Sequence, residues 1–279
     1  AASVNGAGYV SAEMTLLKGL RVIAGLRLEK FIQRYSGQNQ LGTIVLNNDK
    51  VLDDLGFFPS LNLVYGLNDK QKLRASYART IARPSFKELS YAEIADPISG
   101  RTFVGGMFRD ADDVAGREYW NGKLESSDIH NMDLRWELYR SNGQMISVSA
   151  FWKYFNKPIE VVQYATQTGT FQPRNVGDGQ VLGMEFEIRQ NLGAIDKALD
   201  NFNFSSNISF IRSGIELSLT EYYSRIENSR TSQTVRRTRE MAGQSPWIIN
   251  SGITWSGGDI SFWHGFEAGL FYNVQGKTL

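Results

Sequence analysis

Long segments in which apolar and polar residues alternate constrain the fold of this chain more than any other feature. The stretch 132–138 reads MDLRWEL, so Met, Leu, Trp and Leu alternate with Asp, Arg and Glu. Successive side chains of a β-strand point to opposite faces of a sheet, and this period of two predicts a strand with one apolar and one charged face. No segment shows a convincing helical stripe, so the sequence predicts an all-β protein.

The alternation recurs along the whole sequence and predicts about ten antiparallel strands joined by alternately short and long connections. The predicted strands cover residues 9–17, 20–32, 56–67, 72–82, 130–139, 145–156, 180–192, 201–213, 246–256 and 264–275. Short connections fall near 18–19, 68–71, 140–144, 193–200 and 257–263, and long ones near 33–55, 83–128, 157–178 and 214–245. Strands of about 9–13 residues are long enough to cross a bilayer when tilted. Tight turns on one side and long loops on the other are typical of an outer-membrane barrel.

Composition excludes several other classes of protein. The sequence has no cysteine, which excludes a disulfide framework, a thiolate metal site and a cysteine nucleophile. Its formal net charge is +1, which gives no reason to expect a nucleic-acid partner. No apolar run approaches the roughly 20 residues of a spanning helix. His130 and His264 lie far apart, and the acidic run at 110–113 lacks the glycine and closing glutamate of a calcium loop, so no metal site is predicted.

Aromatic residues near the ends of several predicted strands indicate which face meets lipid. Such residues form girdles at the two membrane interfaces of a barrel. We therefore predict that the apolar faces contact lipid and that the charged faces line a polar lumen. The girdle candidates are Phe57, Tyr65, Trp136, Tyr139, Trp152, Tyr154, Trp247, Trp255 and Tyr272. The predicted lumen-facing residues are Arg27, Glu29, Asp133, Arg135, Glu137, Glu185, Glu187 and Arg189.

No catalytic motif accompanies this pattern. Glu185 and Glu187 are paired carboxylates of the kind that a glycosidase also shows. Their spacing along one strand face, with Arg189 next in the row, favours a ladder of charges in a lumen instead. The sequence therefore predicts neither an enzyme nor a cofactor. A soluble β-rich carbohydrate-binding protein remains the alternative from another class.

Three stretches resemble the TonB-dependent receptors, the active outer-membrane transporters of Gram-negative bacteria. Residues 72–89, KLRASYARTIARPSFKEL, resemble a strand that ends in Ala-Arg-Pro-Ser-Phe and enters a long loop. Residues 123–155 resemble the segment with a Leu-x-x-Ser approach, an Asn-x-x-Leu strand, a tight turn and a Ser-x-x-x-Phe-x-Lys strand. Residues 173–192 resemble the family's Asn, Gly, Gly-x-Glu-x-Glu strand. The resemblance is to the C-terminal part of the barrel and covers nearly the whole chain. The motifs resemble those of the Bacteroidetes branch of the family.

This resemblance implies a barrel of about 22 strands closed by an N-terminal plug. It also implies an energy-coupling segment before the plug, which contacts a TonB-type protein. We expect residues 1–279 to be one barrel portion of about ten strands, without the plug domain and the terminal strand. The expected location is the bacterial outer membrane. The expected partners there are membrane lipid, lipopolysaccharide and, as a further candidate, a surface lipoprotein.

The resemblance also implies active uptake of a scarce nutrient such as a siderophore, glycan or peptide. Loops carry most binding residues in such scaffolds, so the ligand contacts are expected in the long connections. A passive porin and a secretion-associated barrel are the alternatives within the membrane class. The candidate ligand contacts are Tyr119, Trp120, Tyr164, Phe171, Arg174, Tyr222 and Tyr223.

Overall fold

A computed structural model describes residues 1–109, 120–140, 143–163, 167–257, 262 and 265–278. Within these residues, one antiparallel sheet runs the length of the chain, which confirms the predicted all-β class and strand pairing. Neighbouring strands along the chain pair with each other wherever a short turn joins them. The paired order is β1 (Ala2–Leu17), β2 (Leu20–Gln38), β3 (Val45–Asn68), β4 (Gln71–Ala82), β7 (Ser127–Tyr139), β8 (Met145–Asn156), β11 (Gly179–Asn191), β12 (Phe202–Glu216), β14 (Trp247–Ser256) and β15 (Glu267–Gln275).

The first hairpins are longer than the alternation predicts. The prediction of a long loop at 33–55 was wrong, because β2 continues to Gln38 and β3 begins at Val45. This part of β3 is polar on both faces, as in Asn47–Lys50, and therefore shows no period of two in the sequence. Small residues hide the beginning of β1 in the same way.

Two other predicted loops, 83–128 and 157–178, contain a second sheet. Its strands are β5 (Glu93–Asp96), β6 (Arg101–Val104), β9 (Ile159–Gln163) and β10 (Thr170–Asn175), in the order β5-β6-β10-β9. Strands β6 and β10 come from different connections and pair in parallel, with Thr102 opposite Thr170 and Phe103 opposite Phe171. We call these four strands, together with the described residues of the two connections that carry them, the cap.

The fourth long connection, 214–245, contains a short helix and a short strand. Helix α1 (Leu219–Glu227) begins after Ser218, whose side chain accepts a hydrogen bond from the Glu221 backbone N–H. Strand β13 (Thr238–Arg239) pairs with β12. None of the helices formed by the described residues has both the length and the apolar character needed to cross a membrane.

The register keeps two chemically different faces continuous across the main sheet. On one face, which we call the charged face, directly opposed residues run Lys72, Glu137, Ser147, Glu187, Asn207, Asn250 and Asn273. On the other, the apolar face, they run Tyr65, Leu73, Trp136, Val148, Phe186, Ile208, Ile249 and Val274. Tyr139 lies on the charged face, two positions from Glu137, so it does not belong with the other girdle candidates.

Two clusters of buried apolar residues lie between the cap and the charged face. One cluster joins Leu52 of β3 to Leu89 and Leu124 from the connection that carries β5 and β6. A second cluster joins Ile215 of β12 to Val162 and Val176 from the connection that carries β9 and β10. Leu52 and Ile215 both point to the charged face, as their register partners show. The cap therefore folds over one end of the charged face instead of extending away from it.

Candidate functional site

A chain of alternating charges crosses the middle of the charged face. Arg74 Nε lies 2.8 Å from Glu137 Oε2, and Arg135 Nε lies 3.0 Å from Glu137 Oε1. Arg135 Nη2 continues the chain to Glu187 Oε2 at 2.8 Å, and Arg189 Nη2 contacts Glu187 Oε1 at 2.8 Å. Three strands thus contribute five charged side chains to one connected network.

Strand register explains why this network forms. Arg74 and Arg135 are directly opposite each other, an arrangement that repels when nothing intervenes. Glu137 lies two positions along β7 and accepts hydrogen bonds from both guanidinium groups, which offsets the repulsion. The Tyr139 hydroxyl donates a third hydrogen bond to Glu137, at 2.8 Å. Ser147, opposite both Glu137 and Glu187, is small enough to lie buried beneath these longer side chains.

The network forms a charged surface across the middle of the charged face. Both carboxylates in it are held by arginines, so neither is the protonated acid that a glycosidase requires. Glu185, the other carboxylate of the candidate pair, accepts a long hydrogen bond from Ser209 at 3.5 Å. Within the described residues, no group of three or more His, Asp or Glu side chains could hold a metal ion.

A second ion cluster joins the cap to the charged face. Arg83 Nη1 lies 2.7 Å from Glu29 Oε1, and Arg27 Nη2 lies 2.7 Å from Glu29 Oε2. The Arg83 guanidinium also lies 4.5 Å above the centroid of the Phe31 ring, and its Nε is 3.7 Å from Asp54 Oδ2. Arg83 is the arginine of the Ala-Arg-Pro-Ser-Phe stretch, so this motif anchors the beginning of the cap. The sequence pattern alone gives no role to Arg83 or Asp54, because their partners lie on other strands.

The structure places the candidate ligand contacts in three different settings. Trp120 and Arg174 come together inside the cap, with the guanidinium 5.6 Å from the ring centroid and Arg174 only 6% exposed. Phe171 lies on the other face of the cap sheet, 5.8 Å from Phe103 between ring centroids. Tyr222 and Tyr223 lie on α1, with ring centroids 5.9 Å apart. Tyr119 and Tyr164 lie outside the described residues, as do His264 and the acidic run at 110–113.

Buried polar contacts fix the interior of the cap. Gln172 is fully buried and donates hydrogen bonds to the carbonyl oxygens of Gly105 at 3.1 Å and Phe108 at 2.7 Å. It also accepts one from Arg174 Nε at 2.7 Å. Nothing in the local sequence pattern predicts that Gln172 is buried and hydrogen-bonded in this way. These contacts favour a structural position for Arg174 over direct contact with a ligand.

Ion pairs also connect the cap to its neighbours. Arg239 Nη2 of β13 lies 2.6 Å from Glu160 Oε2 of β9, and Arg239 Nε lies 3.4 Å from Glu221 Oε1 of α1. At the base of the cap, Lys157 Nζ lies 2.6 Å from Glu125 Oε2. The hydrogen bond to Glu125 raises the pKa of Lys157 above its ordinary value.

Comparisons with known proteins identify the architecture. The family model described as TonB dependent receptor-like, beta-barrel matches residues 2–279. No curated protein sequence matches the chain. Among solved structures, the siderophore receptor PirA from Pseudomonas aeruginosa is similar at 18% identity and a TM-score of 0.61, over 99% of this chain and 40% of that chain.

Two further solved structures show the same fold. The copper transporter OprC is similar at 14% identity and a TM-score of 0.63, over 97% of this chain and 34% of that chain. The alcaligin outer-membrane receptor FauA from Bordetella pertussis is similar at 14% identity and a TM-score of 0.54, over 99% of this chain and 38% of that chain. The chain therefore spans less than half the length of each of these proteins.

Proposed function

Because the chain belongs to the TonB-dependent receptor β-barrel family of the bacterial outer membrane, we propose that it forms part of the wall of an active nutrient importer. The family consists of receptors and transporters, not enzymes. In this proposal, the whole protein is a barrel of about 22 strands closed by a plug, and a TonB-type protein supplies the energy. The described sheet supplies ten of those strands.

The observation that carries this proposal is the separation of chemistry between the two faces of the main sheet. A lipid-facing surface must be apolar, whereas the wall of a water-filled passage must be polar. We assign the apolar face to lipid and the charged face to the passage. On this assignment, the eight predicted lumen residues Arg27, Glu29, Asp133, Arg135, Glu137, Glu185, Glu187 and Arg189 line the passage. Their register places all eight on the charged face.

The ligand in this proposal is a scarce nutrient such as a siderophore, a glycan or a peptide. The similar solved structures include siderophore receptors and a copper transporter, which makes a metal chelate or a metal ion the first candidate to test. Phe171, with Phe103 beside it and the Arg101 guanidinium 5.3 Å from its ring centroid, offers an aromatic and cationic contact surface. Tyr222 and Tyr223 offer a second one.

The remaining expectations from the sequence are also kept as proposals. Trp120 and Arg174 act by holding the cap, and Tyr119 and Tyr164 stay predicted ligand contacts. Lipopolysaccharide and a surface lipoprotein stay proposed partners. The Bacteroidetes style of the motifs stays a prediction as well.

Uptake by the whole protein tests the proposal. Cells that depend on this transporter are given ferric enterobactin, ferric alcaligin or cupric ion, with and without a protonophore. We expect at least one of these to enter the cells only while the membrane is energised. Energy-independent entry, together with a steady open-channel conductance in a planar bilayer, would instead indicate a passive porin.

A further inference from the structure

A cleft of about 480 Å³ lies on the main sheet, across β11, β12, β14 and β15. Its size is within the range of small-ligand sites. Two adjacent rows of directly opposed residues line it, and both rows belong to the charged face. The described residues of the flanking apolar-face rows, such as Ile249 and Ile253, do not line it, so the cleft opens on the charged face. The rows are Glu187, Asn207, Asn250 and Asn273, and Arg189, Ser205, Gly252 and Phe271.

Phe271 gives the cleft an exposed aromatic surface on a polar wall. It is 72% exposed, although it lies on the charged face. A Cβ atom added to Gly252 would lie 2.6 Å from Phe271 Cδ1, and one added to Gly269 would lie 2.7 Å from Phe271 Cε2. The ring therefore lies over two glycines and leans across the sheet towards β14. Its outer side is open to a ligand in the cleft.

Three asparagines place hydrogen-bonding groups beside this ring. The Asn273 side chain donates a hydrogen bond to the side-chain oxygen of Asn250. The Ser209 hydroxyl donates to Asn207 Oδ1 at 3.3 Å. Within the described part of the chain, no hydrogen bond uses the side-chain N–H groups of Asn207 or Asn250. The row therefore offers donors together with the remaining lone pairs of its oxygens, and hydroxyl groups match it because they both donate and accept.

The two charged residues of the cleft neutralise each other. Arg189 Nη2 lies 2.8 Å from Glu187 Oε1, and Arg135 contacts the other oxygen of Glu187. The lining residues thus include one carboxylate and one guanidinium, and their formal charges cancel. A cleft without net charge gives no electrostatic advantage to an anionic chelate or to a metal cation. Its chemistry favours an uncharged ligand.

We propose that this cleft binds a neutral oligosaccharide as it moves along the passage. One sugar unit packs on the ring of Phe271. Its hydroxyl groups accept hydrogen bonds from the side-chain amides of Asn207 and Asn250. The small residues Ser205 and Gly252 leave room for it. The inference rests on the proposed passage and, among the ligand classes proposed above, it selects a glycan.

Oligosaccharide retention by the purified whole protein tests this site. The protein in detergent is titrated with maltohexaose, mannohexaose or N-acetylchitohexaose, which are neutral, or with hexagalacturonate, which is anionic. Native mass spectrometry counts the bound sugar. We expect at least one neutral hexasaccharide to bind more tightly than hexagalacturonate. Phe271→Ala should weaken its binding about tenfold, whereas Phe271→Tyr keeps the ring and should bind like wild type.

Gly252→Ala tests the geometry of the site. The added methyl group would collide with the Phe271 ring and displace it, while every side chain proposed to contact the sugar is kept. We expect this variant to weaken binding of the same hexasaccharide to about the same extent as Phe271→Ala.

Leu270→Ala is the matched control, because Leu270 precedes Phe271 on β15, is 77% exposed and lies on the apolar face. It should leave binding unchanged, and heat-modifiable gel migration confirms that each variant folds. Retention of no neutral hexasaccharide, equal binding of hexagalacturonate, or wild-type binding by Phe271→Ala or Gly252→Ala would overturn the site. Energised uptake is measured on the same proteins. Energised entry of a chelate without sugar binding counts against the site alone, and sugar binding without any energised entry counts against the passage alone.

Discussion

Glu137 shows how much of the charged face depends on a single carboxylate. Its side chain is 7% exposed, and it accepts hydrogen bonds from Arg74, Arg135 and Tyr139. Removing its charge leaves two guanidinium groups directly opposite each other with no intervening anion. A partly buried pair broken in this way costs more free energy than an exposed one.

We therefore expect Glu137→Gln to lower the free energy of unfolding by about 1–3 kcal/mol. The matched control is Glu13→Gln, because Glu13 and Arg21 form an ion pair on the same face that is about half exposed. That change should cost at most about 1 kcal/mol. The measurement is the urea midpoint of heat-modifiable gel migration for the whole protein. Equal midpoints for the two variants would show that the network adds no more to the free energy of unfolding than an exposed ion pair does.

At the scale of single elements, β7 tests the assignment of the two faces. Leu134 is 51% exposed on the apolar face, and the adjacent Asp133 accepts a 3.2 Å hydrogen bond from Ser76 on the charged face. Leu134→Arg should lower stability by about 2–4 kcal/mol near the midplane, because a charge then enters lipid. Asp133→Asn should change it little. Unfolding of both variants in lipid vesicles measures the difference, and the reverse order would contradict the assigned facing.

The cap is the second element with a testable interior. Gln172→Leu removes two donors from buried carbonyl groups and one acceptor from Arg174, and each buried group left unpaired costs about 1–3 kcal/mol. We expect the cap to open while the barrel stays folded. Limited proteolysis should then cut between residues 83 and 126 or between 157 and 178, with unchanged heat-modifiable migration. Gln163→Leu, at an exposed position of β9, is the control and should remain resistant.

The contrast between β7 and the cap explains what could be predicted from the sequence. The face of each β7 residue follows from its neighbours two positions away, so alternation alone assigns Asp133, Leu134 and Glu137 to their faces. The burial of Gln172 depends on Gly105, which is 67 positions away in the sequence. Arg83 likewise gains its role from Glu29 on another strand. The tertiary fold brings such partners together, so the local sequence pattern does not predict them.

At the scale of the whole molecule, the main sheet has two open edges. In the described part of the chain, β1 pairs only with β2, and β15 pairs only with β14. Unpaired edge strands present rows of N–H and C=O groups that recruit other strands. Strand β1 is long and exposed throughout, which makes it the stronger recruiter.

Residues 1–279 produced alone in detergent should therefore associate through these edges. Sedimentation velocity should show oligomers whose size grows with protein concentration. Val10→Pro should shift them towards the monomer, because proline removes a backbone donor from β1 and is an edge-strand blocker. A monomer at every concentration would show that the edges are protected in another way.

In the proposed importer, in which the long connections face the cell exterior, the parallel pairing of β6 with β10 has a consequence for recognition from outside the cell. The two connections contribute neighbouring strands to one surface, so Phe103 and Phe171 are adjacent although they are far apart in the sequence. An antibody or a phage that binds there contacts a composite epitope, made of residues from both connections. A synthetic peptide copied from either connection would present only half of it, and sera raised against such peptides should bind the intact cell surface poorly.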